Sequence, residues 1–342
     1  MTFAKKRYRL FATGRYMLLL PVILMVVFGF ACRHGALAAD VQREKITIGI
    51  SPTDYSLLIF IAMDQGFFEQ NGLEVTLKEF PFGYLTLGHL ADGEIDFGTA
   101  ADFAFVGKSF ETTDLRVLAS ICRAGVEELV ARKDKGIAAP ADLKGKKVGV
   151  TLKTVVEFSL MKFLAFNGMS MSDVTLVNLP PAELYEAFAR GEIDAFGAWD
   201  VWVIKSKELF GDKVVSWPTR LGQDDYWLLC TRKDVVENRS DTVMRLMKAL
   251  LQADDFAAKR SAETRAIMAK YSKNGGASVE YSWENNKYGV SLDQSLLEVM
   301  EDEADWKIKS GGVDKADPPN YLRLIWDKGL NELSPEANTI FR

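Results

Sequence analysis

Cysteine and histidine are scarce in this chain, which has three cysteines and two histidines among 342 residues. So few cysteines cannot form the framework of a disulfide-knit module. Cys122 and Cys230 lie in apolar stretches that favour strands, and the sequence leaves open whether they pair with each other. His89 has no second histidine or paired cysteine at the spacing of a metal site or a catalytic triad, so neither a metal nor a catalytic residue is predicted.

Positive charge is also in short supply. The formal net charge is −5, and all six charged residues among the first 38 are basic. The remaining chain therefore has 36 basic and 47 acidic residues, a net charge of −11, which argues against a nucleic-acid partner. Neither Gly-x-Gly-x-x-Gly nor a phosphate-binding loop is present, and no cofactor is predicted. The length and the hydrophobic content of 48% indicate about two globular domains.

The N-terminus has the pattern of an export signal. Basic residues precede an apolar run, and the small residues Ala36 and Ala38 follow at the spacing of a signal-peptidase site. The run is about 15 residues long, shorter than the roughly 20 needed to span a bilayer. We therefore expect residues 1–38 to be a signal peptide, cleaved after Ala38, and the mature protein to be periplasmic. Acylation of Cys32 in a lipoprotein is the less favoured alternative, because Gly29 replaces the usual leucine three residues before it.

An internal repeat is the most informative feature of the sequence. A glycine in an alternating strand, an Asn-Gly pair after a helix and a Gly-Glu-Ile-Asp turn recur in the same order about 100 residues apart. Each copy follows the pattern strand, helix, strand, helix, strand, which indicates a parallel sheet flanked by helices. The landmark pairs are Gly49 and Gly149, Asn71 and Asn167, and Gly93 and Gly191. We predict an α/β protein with two lobes, each a mostly parallel sheet.

Two apolar segments that end in Arg-Lys-Asp, at 129–134 and 228–234, have the pattern of paired crossings between the lobes. Two crossings form a hinge, which we expect near Arg132 and Thr231. The predicted boundaries are residues 45–133 plus 231–342 for lobe one and 134–230 for lobe two. The last hundred residues are predicted to form a helical tail, and the protein is expected to be a monomer.

In open α/β sheets, ligands bind beyond the carboxyl ends of the strands, beside helix N-termini. The loops selected by this rule contain many aromatic rings and carboxylates, which suit an amine or a heteroaromatic ligand. In lobe one, the candidate ligand-binding residues are Thr53, Asp54, Tyr55, Phe82, Gly83, Tyr84, Thr99, Ala100 and Asp102. In lobe two they are Thr151, Lys153, Thr154, Trp199 and Asp200, with Asp225 and Tyr226 before the return crossing.

Six motifs lie along the two repeats. They are Gly66-Phe67-Phe68-Glu69, Asn71-Gly72-Leu73-Glu74-Val75, Gly93-Glu94-Ile95-Asp96-Phe97-Gly98, the segment 142–150, Leu179-Pro180-Pro181-Ala182-Glu183 and Gly191-Glu192-Ile193-Asp194-Ala195. Together they resemble the nitrate/sulfonate/taurine group of ABC-transporter substrate-binding proteins. The resemblance implies a type II periplasmic binding protein, which closes on a small solute and delivers it to a membrane permease with its ATPase.

Two departures from this group bear on the ligand. Many members have Ser-Gly where this chain has Phe82-Gly83, and Gly-Thr-Ser where it has Lys153-Thr154-Val155. The lost hydroxyl groups weaken the case for nitrate or a simple sulfonate, whereas Lys153 would restore anion binding. The resemblance also implies a ligand-facing role for Trp199-Asp200. The expected solute is a small nitrogen- or sulfur-containing compound, sulfonate- or taurine-like, amine or pyrimidine-like, and its charge stays open.

Two other functions are compatible with the same fold. The group also resembles synthases that build the thiamine pyrimidine with a histidine and a cysteine-rich motif. Because this chain offers only His89 and two separated cysteines, we expect it not to be an enzyme. A periplasmic sensor that presents its ligand to a receptor kinase would use the same cleft, and the sequence leaves that alternative open.

Overall fold

The computed structural model describes residues 43–125, 127–220, 222–271, 276–314 and 317–342, with no side-chain description for Asp200 and Ala277. The predicted signal peptide and Cys32 lie outside the described residues.

Eleven strands in the described residues form two sheets. The first sheet contains β1 (Glu44–Ile50), β2 (Leu73–Glu79), β3 (Phe97–Ala101), β4 (Leu115–Ala124), β10 (Asp225–Arg232) and β11 (Lys287–Ser291), in the order β11-β4-β10-β3-β1-β2. The second contains β5 (Glu128–Arg132), β6 (Lys147–Val150), β7 (Thr175–Asn178), β8 (Ala195–Ala198) and β9 (Val214–Pro218), in the order β7-β6-β8-β5-β9.

Helices connect the strands and form the C-terminal tail. In the described chain they are α1 (Leu57–Asp64), α2 (Phe67–Gln70), α3 (Gly83–Ala91), α4 (Asp102–Ser109), α5 (Val155–Phe166), α6 (Pro181–Arg190), α7 (Asp200–Phe210), α8 (Lys233–Asn238), α9 (Ser240–Lys259), α10 (Ser261–Tyr271), α11 (Gly276–Asn285), α12 (Gln294–Lys309), α13 (Tyr321–Leu324) and α14 (Lys328–Leu333). Among these, no helix has the length and apolar character needed to cross a bilayer.

The two-lobed α/β architecture expected from the repeat is confirmed. In the first sheet β1 pairs in parallel with β2 and β3, and in the second sheet β6 pairs in parallel with β7 and β8. Each sheet is completed by antiparallel strands, so both sheets are mixed rather than mostly parallel. We call the first sheet with its helices the first lobe, and the second sheet with its helices the second lobe.

The strand pairing differs from the expected crossings near Arg132 and Thr231. β5 pairs with β8 and β9 of the second sheet, whereas β10 pairs with β3 and β4 of the first. The chain therefore changes sheets between β4 and β5 and again between β9 and β10, upstream of both expected positions, and we call these connections the first and the second crossing. The expected boundaries at 133 and 230 cut these two strands from the sheets in which they pair.

The repeated Arg-Lys-Asp marks equivalent strand ends in the two lobes. The Arg132 guanidinium donates to the carbonyl oxygen of Phe188 at 3.0 Å, near the end of α6. The Arg232 guanidinium donates to the carbonyl oxygen of Leu90 at 3.2 Å, near the end of α3. Each of these carbonyl groups also accepts a backbone hydrogen bond, from Gly191 and Gly93 respectively, so the arginine of the neighbouring strand adds a second donor at the end of the helix. The repeated Arg-Lys-Asp motif therefore marks the same helix end in each lobe and not the crossings between the lobes.

The repeated glycines have a packing role. A Cβ atom at Gly49 would lie 2.5 Å from Cδ1 of Ile95, and one at Gly149 would lie 2.7 Å from Cδ1 of Ile193. Both isoleucines come from the Gly-Glu-Ile-Asp turns. Each turn thus packs directly on the first parallel strand of its lobe, at a distance that leaves no room for a side chain.

The carboxylates of the same turns hold backbone groups. Asp96 accepts a hydrogen bond from the backbone N–H of Thr47 at 2.8 Å, and Asp194 accepts one from the backbone N–H of Lys147 at 2.9 Å. Burial alone would raise the pKa of Asp96, but hydrogen bonds from Thr47 and Arg239 lower it below its usual value. These carboxylates therefore act in the turns, as their sequence context predicts.

We expect Gly149→Ala to lower the free energy of unfolding by about 1–3 kcal/mol, because the new methyl group must displace packed side chains. Urea unfolding followed by circular dichroism measures the change. Gly88→Ala is the matched control, since a Cβ atom there meets nothing within 4 Å and alanine favours a helix. Equal stability of the two variants would contradict the proposed packing role of Gly149.

Candidate functional site

A cleft of about 380 Å³ lies between the two sheets. Its lining includes residues that follow all six parallel strands, so the carboxyl ends of β1, β2, β3, β6, β7 and β8 meet at one place. Nine of the sixteen residues selected from the sequence line it: Thr53, Asp54, Tyr55, Phe82, Gly83, Tyr84, Lys153, Thr154 and Trp199. The side chain of Asp200 is outside the described residues.

Six selected residues do not line the cleft: Thr99, Ala100, Asp102, Thr151, Asp225 and Tyr226. In two of them the hydroxyl group is hydrogen-bonded to a protein group outside the cleft. Thr151 donates its hydroxyl hydrogen to the carbonyl oxygen of Leu179 at 2.8 Å, and the Tyr226 hydroxyl lies 2.7 Å from that of Ser295 on α12. Ala100 lies beneath the start of α3, where a Cβ atom at Gly83 would come within 2.7 Å of its Cα atom.

The other polar members of this group are buried. Thr99 is 3.5 Å from the carbonyl oxygen of Gly49, and Asp102 accepts hydrogen bonds from the backbone N–H groups of Phe103 and Tyr226. The carboxylate of Asp102, at the first residue of α4, therefore satisfies these buried N–H donors and does not face a ligand.

Thirteen other lining residues are not among the sixteen candidates, although all of them except Ala104 and Lys205 lie in the loops that the rule selects. They are Ser51, Pro52, Pro81, Ala101, Ala104, Val155, Pro180, Pro181, Ala182, Val201, Trp202, Lys205 and Trp227. Lys205 lies inside α7, three residues after Trp202, so helical periodicity carries both side chains to one face. Trp227 replaces Tyr226 in the lining because successive side chains of a strand point to opposite faces.

Aromatic rings give the cleft flat apolar surfaces. The rings of Tyr55 and Trp227 lie 5.4 Å apart between centroids, and the Trp227 indole N–H donates to the hydroxyl of Ser56 at 3.2 Å. On the second lobe, the ring of Trp202 lies 5.4 Å from that of Tyr185. Trp199 packs against apolar clusters of both lobes. A planar or apolar ligand body would find matching surface here.

Five helices, α3 to α7, begin at the cleft. None of their N-cap residues has a side chain that accepts a hydrogen bond from its helix. The first backbone N–H groups of a helix lack intrahelical partners, and the helix dipole places partial positive charge there. Five converging N-termini therefore favour a negatively charged group in the cleft.

Polar side chains add donors to this surface. The hydroxyls of Ser51 and Thr53 are buried and have no hydrogen-bond partner among the described residues. The ammonium of Lys153 lies 5.1 Å from the ring centroid of Tyr84, and that of Lys205 lies 4.6 Å from the ring centroid of Trp202. No ion pair joins either ammonium to a carboxylate of the described residues.

A buried ionic cluster joins the two crossings behind the cleft. Glu127, on the first crossing, lies 3.6 Å from the guanidinium of Arg220 on the second crossing, and Arg220 also pairs with Asp225. The carboxylate of Glu127 also accepts a hydrogen bond at 3.1 Å from the hydroxyl of Ser159 on α5. Burial raises the pKa of Glu127 despite the charge of Arg220.

The cluster continues into α4 and α12. Burial raises the pKa of Asp102 to about 6, against the opposing effect of its backbone hydrogen bonds and Arg220. Glu303 is fully buried, neither of its oxygens has a partner among the described residues, and burial and Asp102 raise its pKa well above the usual value. Burial lowers the pKa of Lys307 to about 8, and its ammonium lies 3.2 Å from the ring centroid of Phe103.

The signs of these shifts predict a pH dependence of stability. A carboxyl group whose pKa is higher in the folded state binds protons more tightly there, so the free energy of unfolding rises as pH falls through the folded pKa. The pKa of Asp102 is about 6 and that of Glu303 is also raised. We therefore expect the melting temperature to rise as the pH is lowered from 8 to 5. Differential scanning calorimetry at a series of pH values measures it.

The variant Glu303→Gln identifies the group responsible, because glutamine has the shape of the protonated acid. We expect its melting temperature to equal that of the wild type at pH 5 and to fall less at pH 8. Glu298→Gln, on an exposed position of the same helix, should follow the wild type. An unchanged pH dependence in Glu303→Gln would exclude Glu303 as its source.

His89 and the two cysteines lie outside the cleft. The Nδ1 atom of His89 is 2.8 Å from the carboxylate of Glu94, and its ring stacks on Phe80 at 4.5 Å. Cys122 and Cys230 are both buried and are not joined in a disulfide. Among the described residues, no group of three or more histidine, cysteine or acidic side chains could hold a metal.

Two mixed sheets joined by two crossings, with a cleft at the carboxyl ends of their parallel strands, define the two-lobed fold of periplasmic binding proteins. The alkanesulfonate-binding protein SsuA from Xanthomonas axonopodis pv. citri, solved bound to MOPS, has this fold with a TM-score of 0.72 and 23% identity. The alignment covers 84% of this chain and 99% of that protein. Residues 53–264 match the family model described as NMT1/THI5 like, and the chain belongs to this family.

Two other similarities bear on function. The taurine-binding periplasmic protein of Escherichia coli (strain K12) is 28% identical over 223 residues, which cover 64% of this chain and 68% of that protein. The desulfurization enzyme DszB shares the fold with a TM-score of 0.60 and 16% identity, covering 85% of this chain and 98% of the enzyme. The fold is therefore found both in binding proteins and in an enzyme.

Proposed function

We propose that this protein is the solute-binding component of an ABC importer and that it binds a small organic anion, of which a sulfonate is the first candidate. The observation that carries the proposal is the convergence of five helix N-termini on a cleft that also contains Lys153 and Lys205. Backbone N–H groups and two ammonium groups complement a negative charge, and the aromatic walls complement an apolar body.

The binding step involves closure and no chemistry. The two lobes are joined by the first and second crossings, and a solute that contacts both lobes favours the closed arrangement by its differential affinity. A membrane permease with its ATPase would then receive the solute from a monomeric binding protein. The similarity to a taurine-binding periplasmic protein supports this role over that of a receptor-linked sensor or a thiamine-pyrimidine synthase.

Export to the periplasm is part of the proposal. The basic and apolar N-terminal pattern and the similarity to a periplasmic protein support it. We expect mass spectrometry of the protein from its native host to give a mature N-terminus at Ala39. An acylated Cys32 at the N-terminus would show the lipoprotein pathway instead.

For the cleft itself, we expect taurine or benzenesulfonate to raise the melting temperature of the wild type, because a ligand that binds only the folded state stabilises it. Lys205→Met should weaken binding of the responding sulfonate at least tenfold, about 1.4 kcal/mol, since methionine keeps the side-chain length but removes the charge. Isothermal titration calorimetry measures the affinity.

Lys213→Met is the control, because Lys213 is exposed and outside the cleft lining. Its affinity should equal that of the wild type. If cationic amines or neutral pyrimidines stabilise the protein and sulfonates do not, the proposed anion specificity is wrong, whereas the role as a binding protein would stand.

A further inference from the structure

Lys153 has an unusual backbone conformation. Its φ angle is 63°, and it is the one residue other than glycine with a positive φ in the described chain. This left-handed region is unfavourable for residues with a Cβ atom, and it is uncommon outside glycine, asparagine and aspartate. Glycine, in contrast, adopts such a φ freely. Lysine is therefore present at a cost in folding free energy.

Side chains around Lys153 hold its loop in this conformation. The backbone N–H of Lys153 donates to the carboxylate of Glu157 at 2.8 Å, and that of Leu152 donates to the side-chain oxygen of Asn178 at 3.1 Å. The Thr154 hydroxyl donates to the carbonyl oxygen of Thr151 at 2.7 Å. The unfavourable φ is thus fixed by the surrounding structure, a pattern that is found at ligand-binding positions.

The side chain of Lys153 extends from the second lobe to the first. Its ammonium lies 5.1 Å from the ring centroid of Tyr84 on α3, within the range of a cation–π contact. The Tyr84 hydroxyl donates to the carboxylate of Glu111 on the side of the first lobe. Glu111 also accepts a hydrogen bond from Lys108 at 2.7 Å, and the Lys108 ammonium lies 5.3 Å from the same ring.

The side chain of Tyr84 stays neutral. Burial and the neighbouring carboxylate of Glu111 raise the pKa of Tyr84 to about 12. The ring face is therefore available to a cation at any physiological pH, and the contact between Lys153 and Tyr84 persists without a salt bridge.

We propose that Lys153 has two roles, as a contact that joins the lobes through Tyr84 in the ligand-free protein and as the cation that selects an anionic solute. The second role rests on the function proposed above, whereas the first does not. On binding, the anionic group of the solute replaces the ring of Tyr84 as the partner of the ammonium, so the link between lobes passes through the solute. Lys153 is thereby a specificity-determining residue of the cleft.

The variant Lys153→Gly tests the conformational argument. Because glycine tolerates the positive φ, we expect its melting temperature to exceed that of the wild type by about 2 °C or more. Binding of benzenesulfonate, measured by calorimetry, should be at least tenfold weaker. Lys153→Arg, which keeps the cation, should retain affinity within about threefold. A gain in stability together with a loss of affinity distinguishes a functional lysine from a structural one.

The variants of Tyr84 test the contact between lobes without any ligand. Tyr84→Leu and Lys153→Gly should both give a larger radius of gyration than the wild type in small-angle scattering of the ligand-free protein. Tyr84→Phe is the matched control, because it keeps the ring face and removes only the hydroxyl. It should retain the wild-type radius.

The outcomes separate the two proposals. An unchanged radius in Lys153→Gly and Tyr84→Leu would overturn the role as a contact between lobes, and unchanged affinity for benzenesulfonate in Lys153→Gly would overturn the role in specificity. If neither benzenesulfonate nor taurine binds the wild type, the proposed anion-binding function and the specificity role both fail. The scattering result would still decide the contact between lobes.

Discussion

Parallel pairing of the strands that open each lobe is the constraint on which the cleft depends. Parallel neighbours need a crossover connection, so a helix follows each strand and returns over a face of the sheet. All these helices must begin at the same edge, where the strands end. The two lobes present these edges to each other across the cleft. The convergence of helix N-termini on the cleft therefore arises from topology, and in the proposed function side chains such as Lys205 and Trp199 would refine the selection of a solute.

The connection between the lobes is polar and buried. Arg220, on the second crossing, pairs with Glu127 on the first crossing and with Asp225 at the start of β10. Moving one crossing away from the other would separate charges that water does not reach, at a cost of several kcal/mol. The crossings are therefore expected to move together. The tail adds a third link, since Tyr281 on α11 donates to Glu128 of β5 at 2.9 Å.

Much of the architecture was accessible from the sequence because duplication repeats the same steric requirement. The strand glycine and the Gly-Glu-Ile-Asp turn that packs on it occur in both repeats, as at Gly49 and Gly149. The alternation of strands and helices could therefore be aligned between the two lobes. The crossings were predicted too far downstream because the repeated Arg-Lys-Asp was taken as their mark. In the structure, Arg132 and Arg232 instead donate to carbonyl oxygens at the ends of helices. In the cleft, loops after strands were found correctly, whereas Lys205 was missed within a helix. Asp102 was selected because a loop carboxylate gives no sign of the backbone N–H groups that it binds.

The position of β10 between β3 and β4 in the first sheet constrains the order in which the chain can fold. The strands of the second sheet all lie within 128–218, so that lobe is complete in one continuous stretch of chain. The first sheet has a gap at its centre until residues 225–232 become available, after the whole second lobe. During synthesis from the N-terminus, the half that begins first is therefore the half that finishes last. In the meantime β3 and β4 lack the strand that will lie between them, which exposes their unpaired edges to aggregation or to a chaperone.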